Sequence, residues 1–181
     1  MAESEFVQRT IGLVTIGQAP RTDLSSPLRA LRPDLTIIES GAMDHLSLAE
    51  VSALPDGDYP LNTCMRDGSP VTVERAALEP LLKLAIDRVE AQDAMATMLM
   101  CAGTFVDLQS TRPLFNPFSL AVGTLIATGL QHIGIICPFA EQERAIGQRW
   151  RQAGFDILIE TAPFSDFARM VSVQEKWTAP E

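Results

Sequence analysis

The chain has 181 residues, 46% of them hydrophobic and 20% charged, the balance of a globular protein with room for one large domain or two small ones. Its 14 Lys and Arg against 23 Asp and Glu leave a formal net charge of -9, which repels a phosphate backbone and, with no basic stripe in the sequence, excludes a nucleic-acid partner. No apolar run reaches the ~18 residues of a membrane span, and the polar segment from Met1 to Arg9 has no signal-peptide pattern. Cys64, Cys101 and Cys137 form no CxxC pair, so a cytoplasmic protein with reduced thiols is expected.

Thr10 to Gly17 is a β-branched, apolar run that opens into Gly-Gln-Ala-Pro, the pattern of a buried strand ending in a loop. Ser26-Pro27 has the form of an N-cap and first helical position, predicting a short helix that Pro33 stops before a second strand over Leu35 to Glu39. Ser47 and Glu50 have capping-box spacing. Tyr59 to Met65 and Pro70 to Val73 flank Arg66-Asp67-Gly68-Ser69, which predicts a hairpin because Asp-Gly tolerates the positive φ of a tight turn. Leu78, Leu81, Leu82, Ala85, Ile86 and Val89 repeat at helical spacing, with Pro80 implying a kink or a later start. Ala94 to Met100 reads as a third strand. Asn116-Pro117 reads as the start of a helix that turns Phe118, Val122, Leu125 and Ile126 to the core and ends at Gly129. Ile133 to Cys137, Glu141 to Ala153 and Phe155 to Thr161 continue as strand, helix, strand. Beyond Pro163 only Ser165 to Val173 has helical character, ahead of a polar tail. The alternation defines an α/β fold of mainly parallel strands with right-handed crossovers and flanking helices, in which the fifth strand lies at an open edge.

In such sheets ligands bind beyond the carboxyl ends of the strands, where backbone amides and helix N-termini are free. The loops leaving those ends hold Gly17-Gln18-Ala19-Pro20-Arg21-Thr22-Asp23, Glu39-Ser40-Gly41-Ala42-Met43-Asp44, Cys101-Ala102-Gly103-Thr104 and Cys137-Pro138, whereas the opposite ends carry generic turn residues. Gly17 permits close approach of an anion and Arg21 offers it a bidentate fork; a Pro-containing connection with a solvated Arg fits the same residues. Cys101, before Gly103 and Thr104, reads as a thiolate activated by loop amides or as an inert core cysteine. Glu39 and Asp44 can orient a substrate, and Asp44 can equally serve the next helix as a cap. Arg66 is a solvated charge or the arm of a hairpin folding over the site. Cys64 and Cys137 read as structural. His45 and His132 have no companions at ligand spacing, so no metal is expected, and no cofactor.

The stretch Ile11 to Asp23, with Glu39 to Asp44, the Arg66-Asp67-Gly68 turn, Cys101 to Phe105 and the Ile133 to Pro138 strand, resembles the AroM family, a branch of the aspartate/glutamate racemase-like superfamily, over about Thr10 to Asp166. The resemblance implies two α/β lobes, a first over residues 1–112 and a partial second over 113–181, with a small-molecule carboxylate ligand. It also implies a Cys101 that matches the proton-removing cysteine of superfamily racemases. Their second cysteine lies in an Asp-Cys-x-Gly loop that has no counterpart here, so two-cysteine racemisation is not expected. The expectation is a racemase-like binder of a small carboxylate or keto acid. Cys101 and Thr104 face the reacting centre, and Gly17, Gln18, Arg21, Glu39, Asp44, Arg66 and Gly103 contact the ligand. A one-cysteine isomerase or decarboxylase and a non-catalytic interaction module are the alternatives. An incomplete second lobe leaves apolar surface uncovered, from which a homo-oligomer is expected.

Overall fold

The computed structural model describes residues 9–103, 105, 108–163 and 165–178. The chain divides into two compact units, residues 1–120 and 121–181.

The first unit is built on a parallel sheet of order β2-β1-β5-β6. Strand β1 (Arg9–Thr15) pairs along its whole length with β2 (Leu35–Gly41), β5 (Thr97–Leu99) pairs with Gly12, Leu13 and Val14, and β6 (Leu114–Phe115) adds to β5. Because β6 belongs to this sheet, the first unit extends past residue 112. Helix α3 (Arg75–Glu90) covers β1 and β2, with Leu78, Leu82, Ala85, Ile86 and Val89 fully buried against Val14 and Leu99. The apolar stripe read from its spacing is thus the face that makes the core. The hairpin of β3 (Pro60–Cys64) and β4 (Pro70–Glu74) is antiparallel, and Gly68 at its tip takes the positive φ of 87° that favours glycine there. In α2 (Leu48–Ser52) the Ser47 and Glu50 side chains form the reciprocal capping box.

The second unit holds β7 (His132–Cys137) and β8 (Asp156–Thr161) as a parallel pair, crossed by α5 (Ala140–Gln152) and followed by α6 (Phe167–Thr178). The boundary between units falls within α4 (Pro117–Ala127), which Asn116 caps by accepting from the Phe118 and Ser119 amides. At its other end the Gly129 and Leu130 amides close on the Ile126 and Leu125 carbonyls, with Gly129 at a φ of 74°. That is a Schellman ending.

Five local expectations are corrected. Helix α1 (Thr22–Leu31) starts at an Arg21 cap instead of Ser26, the Leu24 and Ser25 amides bonding to the Arg21 carbonyl, and Pro27 lies inside it. A proline in a short surface helix forfeits one backbone bond, which ties to the Arg21 carbonyl at the start offset. Pro80 likewise sits inside α3 without delaying its start. Strand β5 is shorter than Ala94 to Met100, because Asp93 and Ala94 are still turning off α3, with Asp93 at a φ of 61° and the Ala94 amide on the Val89 carbonyl. Helix α4 buries none of its residues, and Ile126 is 60% exposed. Phe118, Val122 and Leu125 are half-buried and Leu120, Gly123 and Thr124 exposed, so the spacing marks the more covered side and misses at Ile126. Finally, α6 continues beyond Val173 to carry Trp177, whose ring lies against Gly134 so closely that a Cβ there would stand 2.3 Å from it.

Candidate functional site at the carboxyl rim of the first sheet

Strands β2, β1 and β5 run the same way, so their carboxyl ends bring the loops after Thr15, Gly41 and Leu99 to one rim. Two backbone bonds carry the pairing past the strand ends, from the Ala42 amide to the Thr15 carbonyl and from the Met100 amide to the Val14 carbonyl. The β3–β4 hairpin lies against this rim. The Gln18 amide donates to the Cys64 carbonyl, and a Cβ on Gly17 would stand 2.4 Å from Thr63 Oγ1 and 2.5 Å from the Cys64 carbonyl oxygen. The close approach that Gly17 permits is therefore to the hairpin, not to an anion.

Most of the polar residues proposed as ligand contacts hold these loops to one another. Gln18 is 7% exposed, and its Nε2 donates to the carbonyls of Met43 at 3.0 Å and Leu46 at 2.8 Å while its Oε1 accepts from the Arg66 amide at 2.8 Å. Asp44 accepts from the Ala19 amide and the Gly41 amide, each at 2.7 Å, one on each carboxylate oxygen. Arg66 folds back from the hairpin tip, its Nε donating to the Ala19 carbonyl at 2.6 Å and its Nη2 lying 3.3 Å from Asp44 Oδ1. Arg66 is both bonded back to the Ala19 loop and solvated, its side chain 55% exposed. The Ala19–Pro20 peptide that it grips is cis.

Arg21 and Glu39 are joined in the next layer. Glu39 Oε2 accepts from the Arg21 amide at 2.8 Å, and Oε1 pairs with Arg29 at 3.1 Å. Burial pushes the Glu39 carboxyl upward, but the Arg21 amide, the Ser25 hydroxyl and Arg29 together outweigh it and hold the group below its ordinary value. The Arg21 fork has a resident carboxylate: Nε and Nη2 bind the two oxygens of Asp23 at 2.8 and 2.6 Å. That bond raises the guanidinium above its ordinary value, helped by the neighbouring Cys64 sulfur, and lowers Asp23.

Cys101 stands across β1 from this cluster, at the carboxyl end of β5. It is partly exposed, and the Gly103 amide donates to its sulfur at 3.3 Å. A Cβ on Gly103 would stand 3.2 Å from Cys101 Sγ and 3.3 Å from Leu61 Cδ1, so the hairpin also reaches this loop. Thr104 lies outside the described residues. Farther along the connection, Glu90 at the end of α3 accepts from the Ser110 and Thr111 hydroxyls and the Thr111 and Arg112 amides, anchoring the return to β6. Cys137 is 1% exposed in the second unit, within 3.5 Å of both the Phe139 carbonyl and the Thr161 hydroxyl.

The rim thus gathers Gly17, Gln18, Asp44 and Arg66 in one bonded network and Arg21 with Glu39 in a second, with Cys101 and Gly103 on the adjoining loop. Sequence reasoning missed Thr63, Ser25 and Glu90, and read Cys64, whose carbonyl accepts from the Gln18 amide, as structural. The alternation Leu61, Thr63, Met65 was the available signal for Thr63, since residues two apart share a face of a strand. Among the described residues no group of three His, Cys, Asp or Glu side chains is placed to hold a metal ion, and no helix is long and apolar enough to cross a membrane.

A parallel α/β sheet whose polar loops gather at one carboxyl rim is the class of protein that this fold defines. The chain belongs to the AroM family: the family described as AroM protein matches it over residues 11–176. No curated protein and no solved structure matches it.

Proposed function

We propose that the carboxyl rim of the first unit binds a small carboxylate or keto acid and presents it to the Cys101 thiol. The observation that carries this reading is the Cys101 environment: a partly exposed sulfur at the end of a parallel strand, receiving a backbone N–H from Gly103. A donor aimed at sulfur favours the thiolate, which is the form that removes a proton or attacks a carbonyl. Arg21 supplies the anion fork by exchange, the ligand carboxylate taking the place of Asp23. Asp23 is 60% exposed, so its ion pair with Arg21 is of the solvated kind worth at most about 1 kcal/mol and is readily displaced.

The chemistry that suits the site is one-thiol proton transfer. In this reading Cys101 is the acting thiol, taking a proton from the carbon beside the ligand's carbonyl and returning one to the same face, while Cys137 is buried with its own partners and Cys64 lies on the hairpin beside Arg21. The racemase-like resemblance therefore becomes binding with proton exchange and without inversion. Alkylation of Cys101 by iodoacetamide, followed by mass spectrometry in the presence of pyruvate or 2-oxoglutarate, tests the reading. Protection at millimolar concentrations by at least one acid, lost in Arg21→Ala, is the expected result. Equal alkylation with and without both acids would overturn it.

A further inference from the structure

We infer that the second unit carries a binding site for a small apolar amine, in a groove on the α6 side of the β7–β8 pair, with Asp156 receiving the ammonium group and Trp177 and Leu158 the apolar part. None of these residues belongs to the rim of the first unit, so the inference does not depend on how that rim is read.

Alternation sets His132, Gly134 and Ile136 of β7 and Asp156, Leu158 and Glu160 of β8 on one face of the pair. The opposite face is covered by α5, where Ile157 is buried within reach of Gly147. Helix α6 packs over β7, and Gly134, having no side chain, lets the Trp177 ring settle onto the strand. Glu160 holds that ring in place by accepting from the indole and from Lys176, with Arg169 3.7 Å away. Leu158, the register neighbour of Gly134, is left 59% exposed.

The result is an open groove of about 700 Å³, lined by Gly134, Ile136 and Leu158 from the strands and by Trp177 from the helix, with His132 and Asp156 at the amino ends of the strands. That is the size of a small-molecule site, about 300–1,000 Å³. Its aromatic wall is seated before any ligand arrives, which lowers the ordering cost of binding.

Charge selects the ligand. Glu160 is matched by Lys176 and Arg169, whereas Asp156 among the described residues meets the His132 imidazole alone, Nδ1 lying 3.0 Å from Oδ2. A carboxylate accepts on both oxygens, so the imidazole steadies the group and the second oxygen can receive another donor. The net charge of -9 favours a cation over an anion at such a carboxylate, and an indole face attracts an ammonium group. Asp156 and Leu158 are two residues apart on one strand, about 7 Å, roughly the span from an ammonium nitrogen to the far side of an apolar ring two carbons away.

The full chain with Trp150→Phe keeps Trp177 as its single tryptophan, so its emission reports on the groove. It is titrated with phenethylamine and with two probes of the same shape, uncharged 2-phenylethanol and anionic 3-phenylpropionate. A saturable change with phenethylamine is expected, with a midpoint of about 10 mM or below, and both other probes are expected to be at least about fivefold weaker. Asp156→Asn keeps the shape and the His132 contact but removes the charge. It should weaken phenethylamine about fivefold, the upper worth of a solvated ion pair, and leave 2-phenylethanol unchanged. Leu158→Lys, at an exposed position, should abolish the response to phenethylamine without lowering the melting temperature. Absence of a saturable change, equal midpoints for the three probes, or an Asp156→Asn chain that binds phenethylamine like its parent would each overturn the inference. Emission that shifts with protein concentration before any probe is added would assign the groove to a second copy of the chain and overturn it too. The three probes on the parent decide the matter even where a variant fails to fold.

Discussion

Replacing Gln18 by Ala tests whether the rim is held by side-chain amide bonds. The substitution removes three hydrogen bonds at once, leaving the Met43 and Leu46 carbonyls and the Arg66 amide without the partner they have in the parent. A buried polar group so stranded costs about 1–3 kcal/mol. The Met43 bond is buried and the other two are partly buried, so water compensates some of the loss and a total of about 3 kcal/mol follows. For a protein of this size that corresponds to a fall of roughly 6–12 °C in Tm. Urea unfolding followed by far-UV circular dichroism measures the change directly, with a lower midpoint and an unchanged slope as the expected signature. Gln18→Glu sharpens the test: it keeps an acceptor for Arg66 but sets a carboxylate against two carbonyl oxygens, and it should cost more than Ala. A loss below about 0.5 kcal/mol for Gln18→Ala, or a Glu variant as stable as the parent, would refute the reasoning.

Two further outcomes follow from the same geometry. Because Glu39 has its carboxyl held below the ordinary value of 4.5, it contributes stability that is complete above that pH and is lost as pH falls through its lower folded value. Glu39→Gln should therefore flatten the acid limb of a stability–pH curve, and an unchanged limb in calorimetry would contradict the assignment. In the second unit, Gly134→Ala drives a methyl into the Trp177 ring, so Trp177 must swing outward. Its fluorescence should shift to the red in a Trp150→Phe background, and an unshifted spectrum would show that the ring was not seated there.

Much of the fold was written in local pattern. The α3 stripe, the capping box at Ser47 and Glu50, the Asn116 cap and the Asp67-Gly68 hairpin are each set by residues within a few positions of one another, and each is present as read. What escaped depends on partners distant in sequence. Ser26-Pro27 has the form of a helix start, but the Arg21 carbonyl and the bond from Ser25 to Glu39 set that end of α1 instead. In α4 the spacing marked Phe118, Val122 and Leu125 on the more covered side but misplaced Ile126, which is 60% exposed. The rule for parallel sheets brings these loops to one rim, as the coordinates have them, but the bonds each side chain makes there are not legible in the local pattern. Gln18, Asp44 and Arg66 are chemically fit to grip a ligand, and only the coordinates show them gripping the Met43, Gly41 and Ala19 backbone.

The strap formed by Arg66 has a consequence for how the protein is made. Its contacts with the β1 loop join residues 47 and 48 positions apart, and the strands on either side of that loop, β1 and β2, are complete before Arg66 is synthesised. A nascent chain can pair β1 with β2 once Gly41 has emerged, but the loop at Ala19 stays open to solvent until the hairpin arrives from downstream. The Ala19 loop thus closes only after the hairpin has formed, later than the β1–β2 pairing beside it.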